Sequence, residues 1–120
     1  MAARTNNHEI VIYYNRESSS DRKTVAFAQS TGSHIRSYTY DKAPSTSTGW
    51  QTILSNLDML PKEILNKAHP EYQAKIKGKE FYNQGWMSVI QNNPHLIKAP
   101  IAMKGNKAVL CINPTDIYRL

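Results

Sequence analysis

The first third of the chain alternates between strand-like and helix-like patterns of apolar residues. The segment EIVIYY, from Glu9 to Tyr14, is rich in β-branched and aromatic residues and predicts a buried strand. The segment DRKTVAFAQSTG predicts a short helix that Ser20 caps and Gly32 ends. The segment HIRSYTY, from His34 to Tyr40, alternates with the period of a strand. Together they form a βαβ unit, so we expect the two strands to be parallel.

The middle of the chain follows a helical pattern. Apolar residues recur three and four positions apart in two segments, which predicts two amphipathic helices. Between these segments, Pro61 is placed to open a further short helix and Gly78 to end another. The apolar faces of the two amphipathic helices contain Trp50, Ile53, Leu54, Leu57, Trp86, Val89 and Ile90.

A hairpin signal lies near the C-terminus. Gly105 and Asn106 separate two apolar runs, PIAM and KAVLCI, as in a β-hairpin. The segment TDIYRL after the hairpin predicts a last helical turn or two, with Thr115 as a possible N-cap. The order β-α-β, several helices, β-β, α fits a mixed four-stranded sheet with helices over its faces. We therefore predict a single α/β domain over residues 1–120.

Composition and charge narrow the classes of partner. The 15 basic and nine acidic residues among 120 give a formal net charge of +6, which permits anionic partners. The basic residues are scattered, and no basic groove interleaved with aromatic residues is visible, so the sequence does not favour nucleic-acid binding. No apolar stretch approaches the roughly 20 residues of a membrane span. The N-terminus has no apolar segment typical of a secretory signal, so we expect a cytoplasmic protein without a membrane partner.

The residues that usually bind metals are few. Cys111 is the only cysteine, which excludes an intramolecular disulfide and any multi-cysteine metal site. The four histidines, His8, His34, His69 and His95, share no metal-ligand spacing. The sequence therefore predicts neither a metal site nor a bound cofactor.

Three segments together resemble the arsenate reductase and Spx family of thioredoxin-fold proteins. They are the strand–turn–helix IYYNRESSSDRKT, the segment NPHLIKAPIAM and the hairpin KGNKAVLCINPTDI, which occur in the family's order and spacing. The second is the most specific, because it looks like the family's hP-LI-RPI segment. The resemblance extends from Glu9 to Leu120. It implies a thioredoxin-like fold of the arsenate reductase type, with a mixed four-stranded sheet and an inserted helical segment.

The same resemblance implies a degenerate active site. In the family, a cysteine in the pattern C-x-x-x-R or C-x-x-C-R attacks the arsenic of arsenate or forms a disulfide. In this chain Ser18 falls at that cysteine, Asp21 at the second cysteine and Arg22 at the arginine. Ala99 falls at an oxyanion-binding arginine, and Pro100 at a proline that is typically cis. A serine hydroxyl ionises far less readily than a thiol and cannot form a disulfide, so we expect no conventional reductase activity.

The turn after the first strand supports two interpretations. Backbone N–H groups at a helix start, serine hydroxyls and a guanidinium together suit a phosphate, a sulfate or a carboxylate. Alternatively, Ser20 only caps the helix and Arg22 pairs with Glu17 or Asp21. The candidate binding residues are Ser18, Ser19, Ser20, Arg22, Ala99 and Pro100.

Three functional hypotheses follow. The first is a glutaredoxin-like family member without redox activity, which binds a small anion, a thiol ligand such as glutathione or a protein partner. The second is an interaction module like Spx, which binds RNA polymerase. The third is a thiol oxidoreductase that uses Cys111, which requires this thiol to be reactive, reachable from solvent and close to Arg22. In the competing interpretation Cys111 is a small apolar residue packed in the final strand.

Overall fold

The computed structural model describes residues 9–32, 34–42 and 46–120. The chain divides into two compact units. The first unit comprises Met1–Ala43 and Ala99–Leu120, and the second comprises Pro44–Lys98. The second unit is thus an insertion in the sequence of the first. This division does not decide whether the chain forms a single domain, which stays a prediction.

The first unit is built on a four-stranded sheet. Its strands are β1 (Glu9–Tyr14), β2 (His34–Thr39), β3 (Ile101–Lys104) and β4 (Lys107–Leu110). They lie in the order β2-β1-β3-β4. Strand β1 pairs in parallel with β2 and antiparallel with β3, and β3 pairs antiparallel with β4. The predicted βαβ unit, hairpin and mixed sheet are all confirmed, with Gly105 at a positive φ of 61° in the hairpin turn.

Helix α1 (Ser19–Ser30) connects β1 to β2 and covers the sheet. It ends as predicted, because Gly32 follows the last turn at a φ of 82°. Apolar side chains from the strands, the helix and the C-terminal segment share one core, which stabilises the unit by removing apolar area from water. This core contains Ile10, Ile12, Val25, Ala28, Ala102, Val109, Cys111 and Ile117.

The C-terminal helix differs in type and start from the prediction. Residues Pro114–Arg119 form a 3₁₀-helix. The cap position is Asn113, whose N–H donates to the Asp116 carboxylate at 2.9 Å. The predicted cap at Thr115 is wrong, because the helix begins at Pro114, whose fixed φ suits a first helical position.

The second unit is helical. It contains α2 (Ser47–Leu57), α3 (Pro70–Lys75) and α4 (Asn83–Asn92), with 3₁₀-helices at Pro61–Ile64 and Pro94–Leu96. Gly78 lies beyond α3 at a φ of 84°. No helix among the described residues is long and apolar enough to cross a membrane. The core is apolar, as predicted, and contains Trp50, Ile53, Leu54, Ile64, Leu65, Tyr72, Trp86, Val89, Ile90 and Leu96.

Candidate functional site

The sequence-predicted site residues of the first unit meet at one edge of the sheet. Tyr13 near the end of β1 pairs with Ile101 at the start of β3, and Ile101 pairs with Leu110 at the end of β4. Because antiparallel neighbours run in opposite directions, the segments after β1, before β3 and after β4 all lie at this edge. Strand β2, parallel to β1, ends there too.

Ser18 caps helix α1. Its backbone is extended (φ −90°, ψ 118°), and its Oγ accepts the N–H of Asp21 at 3.1 Å. The predicted cap at Ser20 is wrong, because the chain turns earlier: the Ser18 N–H donates to the carbonyl oxygen of Asn15 at 3.0 Å. Ser19 and Ser20 are exposed in the first turn of the helix. Sequence reasoning could not choose among three adjacent serines that all suit an N-cap.

Asp21 is the residue of this site that sequence reasoning undervalued. Its side chain is only 4% exposed. One carboxylate oxygen accepts the N–H of Asn15 at 2.9 Å, and the other accepts the hydroxyl of Ser18 at 3.2 Å. Burial raises the pKa of Asp21, and these two hydrogen bonds partly oppose that rise. A signal existed, since an acidic residue three positions after a serine is the spacing of a capping box.

Arg22 is exposed and does not pair as predicted. Its guanidinium donates to the carbonyl oxygen of Arg16 at 2.5 Å. Among the described residues, the ion pairs within 4.0 Å join Arg36 to Glu9 and His95 to Glu71. The interpretation in which Arg22 pairs with Glu17 or Asp21 is therefore wrong, because the guanidinium turns back over the loop.

The segment Ala99–Pro100 is buried and held from both sides. The Tyr40 hydroxyl donates to the carbonyl oxygen of Ala99 at 2.7 Å, and the Cys111 N–H donates to that of Pro100 at 2.8 Å. The described residues contain no cis peptide bond, so Pro100 differs from the cis proline that the resemblance implies. The hydroxyl bond of Tyr40 joins residues 59 apart in sequence, and no local pattern could have predicted it.

Cys111 lies directly after β4 and is 2% exposed. Burial, and then the carboxylates of Asp116 and Asp21, raise the pKa of the thiol to about 12, with Arg119 opposing. Tyr40 belongs to the same interior, since burial and the charges of Asp21 and Cys111 raise its pKa well above the usual value. The structure thus gives this thiol neither the exposure nor the acidity that thiol chemistry needs.

A metal-binding cluster and a surface cavity are two other features that could mark a functional site. Among residues 9–32, 34–42 and 46–120, no group of three or more His, Cys, Asp or Glu side chains is arranged to hold a metal ion. A surface cavity of about 450 Å³ lies in the helical unit and contains none of the sequence-predicted binding residues. It is lined by Gln51, Leu54, Ser55, Asp58, Met59, Leu60, Pro61, Glu63 and Met87.

The fold and the sheet edge define a thioredoxin-like α/β protein of the arsenate reductase type. The sequence model of the ArsC family matches residues 13–120, and the chain belongs to this family. No curated protein sequence matches the chain significantly.

Solved structures support the same fold. An arsenate reductase from Vibrio cholerae superposes with a TM-score of 0.83 at 19% identity, covering 95% of this chain and 98% of its own. An arsenate reductase (ArsC) related protein from Brucella melitensis superposes with a TM-score of 0.72 at 13% identity, covering 92% of each chain. At such identities the likeness extends to the fold and not to the activity.

Proposed function

We propose that this ArsC-family protein does not reduce arsenate and acts by binding a partner at the turn after β1. One observation carries the proposal: neither candidate nucleophile at the sheet edge supplies a thiolate. Ser18 holds a hydroxyl that is fixed as the cap of α1, and the Cys111 thiol is buried with a pKa of about 12. The thiolate is the attacking species in thiol-based reduction, so a site without one has no route to that reaction.

The burial pattern at this edge favours a protein partner over a small ligand. Ala99 and Pro100 are buried, and their carbonyl oxygens already accept hydrogen bonds. In contrast, Arg16 and Ser19 on the turn are exposed, and Ile112 after β4 is 57% exposed although it is apolar. Such a mixture of one apolar and several polar exposed groups suits a protein interface. The resemblance to Spx supports the same role, with RNA polymerase as the first partner to test.

A small anion or glutathione is the second candidate. The hydroxyls of Ser19 and Ser20 and the guanidinium of Arg22 are exposed at the start of α1, where a helix favours negative charge. Asp21 opposes this candidate, because its carboxylate lies in the same turn and the Asp21 N–H is already donated to the Ser18 hydroxyl.

The absence of reductase activity is tested by arsenate-dependent thiol turnover. The wild type and Cys111→Ser are supplied with glutathione and glutaredoxin, or with thioredoxin, and an active arsenate reductase serves as the positive control. We expect no turnover above background in either protein. Turnover in the wild type that disappears in Cys111→Ser would overturn the proposal and make Cys111 the nucleophile.

The binding role is tested separately. Purified RNA polymerase from the native host is titrated with the wild type, Ile112→Glu and Lys79→Glu, and glutathione, phosphate and arsenate are titrated by calorimetry. We expect polymerase binding that Ile112→Glu weakens and Lys79→Glu, an exposed change in the helical unit, leaves intact. Binding of a small molecule without polymerase binding would favour the second candidate.

A further inference from the structure

The turn after β1 contains a buried acid that touches position 18. Asp21 is 4% exposed, and its Oδ1 lies 3.2 Å from the Ser18 oxygen. We propose that Asp21 is a second determinant, separate from Ser18, that prevents a thiolate from forming in this turn. Restoring a cysteine at position 18 would then not restore a nucleophile.

Two effects of the carboxylate act in the same direction. A thiol at position 18 would occupy the place of the hydroxyl that donates to Asp21, and a hydrogen bond donated by the S–H group stabilises the neutral thiol. Ionisation would place a second negative charge beside a carboxylate that is shielded from water. Both effects raise the pKa of the thiol, because each one disfavours its charged form.

The carboxylate is fixed in this position by the backbone. Its second oxygen accepts the N–H of Asn15 at 2.9 Å, so rotation away from position 18 would break that bond. The N-terminus of α1 favours a thiolate. The N–H of Asp21, which would face the sulfur, adds to this helix effect, so the proposal requires the fixed carboxylate to outweigh the helix N-terminus.

The other charged and titratable groups around Asp21 do not relieve this effect. Tyr40 after β2 and Cys111 after β4 both interact with Asp21, and both are neutral at pH 7, since their pKa values are raised above ordinary values that already exceed 7. The nearest cation along the helix, Arg22, directs its guanidinium to the carbonyl oxygen of Arg16. Among the described residues, Asp21 is the only buried charged side chain, and its carboxylate lies beside position 18.

The inference goes beyond the proposed function and fails independently of it. The proposed function concerns turnover and binding by the wild type. The role of Asp21 concerns the acidity of a thiol at position 18, and it is measured without arsenate or a partner.

The experiment compares Ser18→Cys in three backgrounds: Asp21, Asp21→Asn and Glu17→Gln. The rate of alkylation by iodoacetamide is followed from pH 6 to pH 10, with peptide mapping to separate the introduced thiol from the buried Cys111. With Asp21 present, we expect a thiol pKa above the usual value of about 8.5. The Asp21→Asn change should lower this pKa by about 1 to 3 pH units. Glu17→Gln removes the charge of an adjacent exposed residue and should leave the pKa unchanged.

Circular dichroism identifies the variants that fold, and Asp21→Ser in the Ser18→Cys background replaces Asp21→Asn if the latter does not. The proposal is overturned if removal of the carboxylate leaves the thiol pKa unchanged or raises it. It is also overturned if Glu17→Gln lowers the pKa as much as Asp21→Asn, because the effect would then be one of general charge.

Discussion

The turn at Ser18 and the segment at Cys111 lie at the same sheet edge but differ in what they lack. Ser18 is half-buried in a turn with exposed neighbours, and its hydroxyl does not ionise near neutral pH. Cys111 carries a group that can ionise, but it is 2% exposed and its pKa is about 12. Nucleophilic chemistry needs access and acidity in one side chain. Neither side chain combines the two, and the proposed absence of reductase activity depends on this contrast.

The largest expected effect concerns the accessibility and acidity of Cys111. With a pKa of about 12, roughly one thiol in 10⁴ is ionised at pH 8. An ordinary thiol, with a pKa near 8.5, is about one quarter ionised at that pH. We therefore expect iodoacetamide to modify Cys111 in the folded protein at least about 10³-fold more slowly than in the urea-unfolded chain.

A matched control separates burial from the general reactivity of the edge. Ser19→Cys places a thiol at an exposed position of the same turn, and it should react at least as fast as an ordinary thiol, because the N-terminus of α1 favours a thiolate. If Cys111 in the folded protein reacts within tenfold of its unfolded rate, the contrast between the two segments fails. Cys111 would then return as a candidate nucleophile.

The next largest effect concerns the hydrogen bond from Tyr40. Tyr40→Phe removes the hydroxyl that donates to the buried carbonyl oxygen of Ala99 and should lower the free energy of unfolding by about 1 to 3 kcal/mol. Urea denaturation measures this change. Tyr38→Phe, at a half-buried position of β2, is the control and should change stability by less than about 0.5 kcal/mol. Equal losses in both variants would contradict the role assigned to Tyr40.

A smaller effect should identify the cap of α1. Ser18→Ala removes the oxygen that accepts the N–H of Asp21 and should cost about 1 kcal/mol of stability. Ser20→Ala, two residues further along, should lower the stability by only roughly a few tenths of a kcal/mol, because Ser20 is exposed and lies inside the helix. The two variants are compared by urea denaturation. A larger loss of stability for Ser20→Ala than for Ser18→Ala would mean that Ser20 caps the helix, as the sequence predicts.

The smallest effect is the pH dependence of stability caused by Asp21. Burial raises the pKa of its carboxyl above the unfolded value of about 3.9, so the folded chain binds this proton more tightly than the unfolded chain. The contribution of Asp21 is therefore most favourable below pH 3.9 and declines as the pH rises through the folded pKa. The free energy of unfolding of the wild type, relative to Asp21→Asn, should fall between pH 3.5 and pH 7.

Asp41 provides a control of opposite sign. A hydrogen bond from the Thr39 hydroxyl lowers the pKa of this exposed carboxyl. Its contribution to stability is present above the unfolded pKa and is lost as the pH falls through the folded pKa. Relative to Asp41→Asn, the wild type should gain stability as the pH rises. The same sign for both residues would mean that burial does not govern Asp21.

The sheet could be predicted because its signals are local. The run EIVIYY and the turn at Gly105 each combine apolar residues with clear boundaries, and the structure places β1 and the β3–β4 hairpin accordingly. Helix starts were harder. Ser18, Ser19 and Ser20 can each cap a helix, and which of them does so depends on the direction in which the chain leaves β1. The N-cap of the C-terminal helix is Asn113 rather than Thr115, because this helix starts at Pro114.

The grouping of the candidate site residues could be predicted, but their electrostatics could not. The resemblance assigned the turn after β1 and Ala99–Pro100 to one site, and the register of β1 and β3 brings these segments to one edge. The burial of Asp21 and the bond from Tyr40 depend on tertiary packing between distant segments. No periodicity or spacing within the sequence reports such contacts.

The bond between Tyr40 and Ala99 also bears on how the length of this chain can vary. The two residues stand near the points where the chain leaves the sheet unit and re-enters it. Their contact closes the base of a long excursion. The entropy of closing a loop rises only with the logarithm of its length, and doubling the loop costs about 0.6 kcal/mol. We therefore expect a change in the length of the helical segment to cost the sheet unit little closure entropy, as long as the two ends of the excursion keep their spacing.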